Sequence, residues 1–271
     1  MPQKLRDTTG ETIKALKQSI ETSVKACGSL EEAAQTFTNL LWEEFRESII
    51  LVRFFVTLPF STLPDRYQRS VAQLAEGEGI TPLLGDHTPV LTLLGSFGGE
   101  EIRNVKQYFG LPLVSYGFIE SIPMISDLLR ELGFSFNGRK EPGDNTQDTE
   151  DIETNSVSFL SGIFYVSHTQ YAINGKDERM LLAFDRIAAY NSKSLSEIQT
   201  IFGIGGAYIS GPFIAILICT KEALEKKMVE QFVPVANYVK TSTTKLVLED
   251  KIFSRYYYDK KRDTYDYRAT A

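Results

Sequence analysis

The residue types that most often perform chemistry are few and scattered in this 271-residue chain. Its two histidines are His87 and His168, and its two cysteines are Cys27 and Cys219. Because the cysteines form no Cys-x-x-Cys pair, a structural zinc site or a redox pair is not indicated. The string Gly-x-Ser-x-Gly is absent, so the elbow typical of many serine hydrolases is missing. The motifs therefore predict neither a metal site nor a catalytic centre.

Arg53 is the most unusual polar residue, because it lies within the otherwise apolar stretch Ile49–Leu58. A stretch so rich in β-branched and aromatic residues predicts a central strand that is covered on both faces. A charge there is costly unless it is paired or reaches the surface. Two interpretations stay open: an exposed sheet edge, or a polar pocket in which the guanidinium holds a carboxylate or phosphate.

Five other side chains complete the set that we predict to bind a ligand. Glu120 precedes a helix predicted over Ile122–Leu132, where helix capping is its alternative role. His168 ends a predicted strand, and an ordinary surface histidine is the alternative there. The other three are tyrosines that we assign to strands, where a ring packs in a core and its hydroxyl can contact a ligand: Tyr116, Tyr165 and Tyr208.

The glycine-rich string from Gly203 to Gly211 resembles a nucleotide-binding loop. A dinucleotide loop requires a helix after it, whereas here a second apolar segment of strand character follows. We predict a hairpin of strands Phe202–Ile209 and Pro212–Thr220 instead. Its glycines would then allow close approach of another backbone or a ligand.

Composition narrows the classes of partner. The formal net charge is −6 and no run of Lys and Arg occurs, which argues against nucleic-acid binding. No apolar stretch is long enough to span a bilayer, and the polar start of the chain does not resemble a signal peptide, so we expect a cytoplasmic protein with no membrane contact. The acidic segment 137–156 is expected to be a flexible insertion or a linker between two lobes, and the tyrosine-rich tail 249–271 to be mobile.

The elements that would position these residues alternate in type. Helices are predicted over Glu11–Cys27, from Ser29 to near Ser48 with Ser29 and Glu32 as a capping box, and over Pro64–Ala75. Further strands are predicted over Pro89–Ser96, Leu113–Ile119 and Val157–Ser167. Because the closing hairpin is antiparallel, a wholly parallel sheet is disfavoured.

A long C-terminal helix is predicted after Thr220, with a kink at Pro234. Six of its residues follow a heptad-like spacing that we interpret as a dimer interface: Met228, Phe232, Val235, Val239, Ser242 and Leu246.

This order of elements is similar to that of GAF domains, the sensory modules of signalling proteins. The resemblance is carried by Gly28–Ala34, by the apolar strand Ile50–Thr57 and by the hairpin with the long helix after it. It implies an α+β fold, with a central antiparallel sheet of about six strands and flanking N- and C-terminal helices. It also implies one domain over residues 1–248, with a small-molecule pocket on the sheet face away from those helices.

Three functional hypotheses follow. In the first, the chain is a ligand-sensing regulatory domain that binds a small molecule and signals to a partner protein as a homodimer. In the second, it is an adaptor without a ligand, whose sheet face is filled by its own side chains. In the third, it is an enzyme in which Glu120, His168 and Arg53 converge in one cleft.

Overall fold

One antiparallel sheet of six strands forms the centre of the computed structural model, which describes residues 3–98, 109–134, 161–167, 197–209 and 211–254. The spatial order of the strands is β3-β2-β1-β6-β5-β4. Their bounds are β1 Ile49–Pro59, β2 Pro89–Gly98, β3 Gly110–Pro112, β4 Gly162–Ser167, β5 Thr200–Ala207 and β6 Phe213–Thr220. The α+β class and the strand number match the sequence expectation.

Helices from both ends of the described chain cover one face of the sheet, which we name the helical face. Helix α1 (Gly10–Ser19) continues into a π-helical segment Ile20–Val24, and α2 spans Leu30–Glu44. The predicted cap of α2 is confirmed, because the Ser29 hydroxyl accepts from the Glu32 amide at 3.1 Å. The Glu32 carboxylate in turn accepts from the Gly28 amide at 2.8 Å.

Between β1 and β4, the described residues form two short α-helices besides α3 (Asp65–Gly77). They are α4 (Tyr116–Glu120) and α5 (Pro123–Glu131), and α5 lies on the second face of the sheet, which we name the α5 face. The predicted strand over Leu113–Ile119 is wrong. Ser115 caps α4 by accepting from the Phe118 amide at 3.2 Å, and this local cap outweighs the strand preference of the apolar residues.

The predicted hairpin of β5 and β6 is confirmed, and its glycines have a packing role. A Cβ placed on Gly205 would lie 2.1 Å from the Ile214 carbonyl oxygen and 3.0 Å from Leu132 Cδ1. One placed on Gly162 would lie 2.5 Å from the Glu131 carbonyl oxygen. The end of α5 therefore packs directly on strand backbone, and the interpretation as a phosphate loop is wrong.

The C-terminal helix begins later than predicted, at α6 (Lys226–Val229), and continues after a 3-10 turn as α7 (Val233–Leu248). Pro234 lies in the first turn of α7, where its missing N–H is tolerated, so it opens this helix. Four of the six seam residues are buried in the chain's own core: Phe232, Val235, Val239 and Leu246. These residues therefore do not form a dimer interface. A spacing of three and four residues places apolar side chains on one face of any amphipathic helix, including one that packs on a sheet.

Several sequence predictions lie outside the described residues. These are the acidic segment 137–156, most of the tail 249–271, and the start of the strand predicted over Val157–Ser167. In the part of the chain that the structure describes, no helix is long and apolar enough to cross a membrane.

Candidate functional site

Arg53 lies on the α5 face, in the middle of the sheet. Strand β1 pairs with β2 on one side and with β6 on the other, so the interpretation as an exposed edge is wrong. Its neighbours at two residues' distance, Leu51 and Phe55, belong to the core on the α5 face, so Arg53 points to that face as well. Only 4% of Arg53 is exposed.

The residues around Arg53 are set by strand register. Directly opposite Arg53 lie Ser96 in β2 and Leu217 in β6. Cys219, two residues beyond Leu217, shares the α5 face and is fully buried. We name Arg53, Ser96 and Cys219 the Arg53 site.

Cys219 is not an activated nucleophile. Burial raises the pKa of its thiol to about 12, and the nearby charge of Arg53 lowers that pKa only in part. Because the thiolate is the reactive form, this thiol stays protonated and inert near neutral pH.

The chemistry open to the Arg53 site is therefore recognition. A guanidinium presents a planar fork of N–H donors that fits a carboxylate or a phosphate. Around it the face is lined by the apolar side chains of Leu51, Leu217 and Ile201. Within the described ranges, no group of three or more His, Cys, Asp and Glu side chains could hold a metal ion.

Two of the predicted ligand residues lie on the opposite side of the sheet from Arg53. The Tyr165 hydroxyl donates to the Leu224 carbonyl oxygen at 2.7 Å, and the Tyr208 hydroxyl lies 2.7 Å from Thr243 Oγ1. Burial raises the pKa of Tyr208, so its hydroxyl keeps its proton. Both tyrosines connect the helical face to the sheet and do not join Arg53 in one site.

Tyr116 and Glu120 form a pair of their own on α4, where the tyrosine hydroxyl donates to the exposed carboxylate. Helix α4 follows β3, whose partners lie in the first half of β2, whereas Ser96 lies near the end of that strand. Glu120 does not cap the following helix, because Ile122 occupies the N-cap position of α5. Tyr116 lies in a helix and not in the predicted strand.

His168, the sixth predicted residue, lies outside the described residues, directly after the end of β4 at Ser167. Strand pairing places Ser167 opposite Thr200 and Thr200 opposite Thr220, at the end of the sheet where β1 begins. The enzyme hypothesis requires His168, Glu120 and Arg53 to converge. The structure places Glu120 and Arg53 on different elements and does not bring them together.

Glu222 is a further buried charged residue, only 4% exposed, and no sequence pattern indicated it. Its carboxylate accepts from the Ser48 hydroxyl and, at 2.6 Å, from Arg6 Nε. Burial alone would raise the pKa of Glu222, but the hydrogen bonds from Ser48 and Arg6 outweigh burial and lower it. An acid just after a predicted strand is an ordinary surface pattern, so only the fold identifies this group.

Comparison with known proteins adds one structural similarity. The chain matches no protein-family model, and a search of curated proteins gives no match either. Among solved structures it is similar to the phycoerythrobilin-bound GAF domain from a cyanobacterial phytochrome, with a TM-score of 0.44 and 8% sequence identity. That alignment covers 87% of this chain and 96% of the other. The strand topology, and not this similarity, establishes the α+β fold with terminal helices on one face.

Proposed function

We propose that this chain is a ligand-sensing regulatory domain of the GAF type that binds a small anionic molecule on its α5 face. The observation that supports the proposal is Arg53, a buried cation at the centre of the sheet on the face away from the terminal helices. A guanidinium presents a planar fork of N–H donors, which fits the carboxylate or phosphate of an anionic ligand.

The proposed signal passes from the sheet to the terminal helices. The ligand would shift the population of two helix arrangements toward the one that it binds more tightly. A partner protein, or a second copy of the chain, would then detect the change. Because most of the seam is buried, we propose that a homodimer through the C-terminal helix would use the exposed stripe of α7: Pro234, Asn237, Thr241, Lys245 and Leu248.

Thermal unfolding with a panel of small carboxylates and phosphates tests the ligand proposal. Arg53→Met replaces the cation with an apolar side chain of similar length. Lys240→Met is the matched control, because Lys240 is a buried cation on the helical face, where its Nζ donates to the Ala207 carbonyl oxygen at 3.2 Å.

We expect at least one anion to raise the melting temperature of the wild type and of Lys240→Met, but not that of Arg53→Met. A similar rise in all three proteins would show that Arg53 does not anchor the ligand.

The adaptor hypothesis has one observation in its favour. Over β5, the α5 face is filled by the chain's own side chains, since Leu128 and Leu132 lie against Gly203 and Gly205. An adaptor would bind a partner protein without any small molecule. Pull-down with the full chain and with a chain ending at Ser254 distinguishes the two, because this truncation keeps the contact between Ser254 and Ser29. A partner lost on truncation, with no anion effect on unfolding, would favour the adaptor.

A further inference from the structure

The first described residues, Gln3–Asp7, lie across one end of the sheet, and we name them the N-terminal strap. Leu5 is the one strap residue that is buried, at 1% exposure, while Gln3, Lys4, Arg6 and Asp7 are exposed. The Leu5 amide donates to the Ser48 hydroxyl at 3.0 Å. The strap therefore has little apolar contact with the rest of the fold and depends on polar contacts.

Glu222 receives most of those contacts. Arg6 donates to Glu222 Oε2 twice, from Nε at 2.6 Å and from its backbone amide at 3.3 Å. The other carboxylate oxygen accepts from the Ser48 hydroxyl, the same group that binds the Leu5 amide. The Glu222 carboxylate therefore binds Arg6 directly, and it also binds the Ser48 hydroxyl that accepts from the Leu5 amide.

The backbone around Glu222 is held by residues outside the strap. Its amide donates to Thr220 Oγ1 at 2.9 Å, and its carbonyl oxygen accepts from Thr200 Oγ1 at 2.8 Å. The Lys221 amide donates to the Ser48 carbonyl oxygen at 2.9 Å. None of these three bonds involves a strap residue, so we expect the end of the sheet to stay folded when the strap leaves.

Ordering the strap has an entropic cost that one leucine offsets only in part. Each of its five residues loses backbone freedom on docking, and their exposed side chains gain little in return. Besides the Leu5 bond to Ser48, the strap has neutral bonds from the Gln3 amide to the Glu44 carbonyl oxygen at 2.8 Å and from Thr12 Oγ1 to Gln3 Oε1 at 3.0 Å. Hydrogen bonds to a buried charge are stronger than these neutral ones.

We propose that Glu222 is a latch and that residues Gln3–Asp7 are a detachable strap, which leaves the sheet while the sheet stays folded. Helix α1 begins three residues after the strap, at Gly10, so release frees the start of a terminal helix. The latch involves no ligand, so this proposal does not depend on the proposed function.

Hydrogen exchange of the full chain, followed by mass spectrometry, tests the latch. Glu222→Gln keeps the shape of the side chain and removes its charge. Arg6→Met removes the side-chain donor of the strap and leaves its backbone amide, and the Arg6 side chain is 56% exposed, so this change does not endanger the core. The matched control is Arg46→Met, which removes an exposed pair with Glu43 at 3.9 Å.

We expect peptides that cover the strap to exchange on the order of tenfold faster in both latch variants, while those of β5 and β6 keep the wild-type rate. Arg46→Met should match the wild type. Unchanged strap exchange in the latch variants would overturn the proposal, as would equal acceleration in the strap and in β5 and β6. Where Glu222→Gln does not fold, Arg6→Met alone decides between these outcomes.

Discussion

Arg53 and Glu222 are buried to the same extent, yet their surroundings give them different properties. Glu222 accepts hydrogen bonds from Ser48 and Arg6, which stabilise its ionised form. Arg53 lies on the α5 face beside Leu217 and Cys219. The contacts of Glu222 give it a structural role, whereas the role of Arg53 in anion recognition is our proposal.

The lowered pKa of Glu222 makes a prediction about acid stability. A carboxyl group whose pKa is lower in the folded state contributes stability above its unfolded pKa of about 4.3, and this contribution is lost as the pH falls through the folded value. Wild type should be more stable than Glu222→Gln by about 1–3 kcal/mol at pH 7, and the two should converge towards pH 3.

Urea unfolding at several pH values measures this difference. The emission of Trp42, the chain's one tryptophan, reports unfolding because its ring packs against Phe97 at 5.1 Å between centroids. A stability difference that stays constant from pH 7 to pH 3 would contradict the ionic role of Glu222.

At the scale of single residues, the sequence identified part of the site. Arg53 was predictable, because a charged residue within an apolar strand is costly to bury and requires compensating interactions. The roles of Tyr165 and Tyr208 were not, because strand register decides which face a side chain occupies, and a shift of one residue reverses it. Register depends on pairing with distant strands, which local sequence does not specify.

At the scale of elements, the packing of α5 on bare strand backbone makes a further prediction. In Gly162→Ala the new Cβ would lie 2.5 Å from the Glu131 carbonyl oxygen and 2.8 Å from Leu132 Cα, both backbone atoms of the α5 end. We expect a loss of about 1–3 kcal/mol in the free energy of unfolding.

Gly117→Ala in α4 is the control, because nothing lies within 4 Å of its new Cβ and alanine favours a helix. In urea unfolding, we expect the free energy of unfolding to fall for Gly162→Ala and to rise or stay unchanged for Gly117→Ala. Equal stability of Gly162→Ala and wild type would show that α5 does not pack as described.

Elements with strong local signals were predictable. The long apolar strand β1, the closing hairpin and the Ser29 cap each carry a signal within a few residues. Leu113–Ile119 was mistaken for a strand because its apolar content hid the cap at Ser115. The kink expected at Pro234 failed because helix α7 begins one residue earlier, at Val233.

At the scale of the whole molecule, the proposed dimer would use a surface that the sequence did not indicate, the exposed stripe of α7. Apart from Pro234 and Leu248 this stripe is polar, and Leu248 is 67% exposed. If copies associate there, Leu248→Lys should remove the main apolar contact and shift the protein to a monomer. Light scattering of both proteins measures this, and a wild type that stays monomeric at high concentration would contradict the dimer.

The central claim is that an anion binds on the α5 face through Arg53, and native mass spectrometry of freshly purified protein tests it most directly. We expect wild type and Lys240→Met to retain one small molecule of the same mass, and Arg53→Met to carry none. The bare mass of the polypeptide in all three proteins, or the same retained mass in Arg53→Met, would contradict the claim.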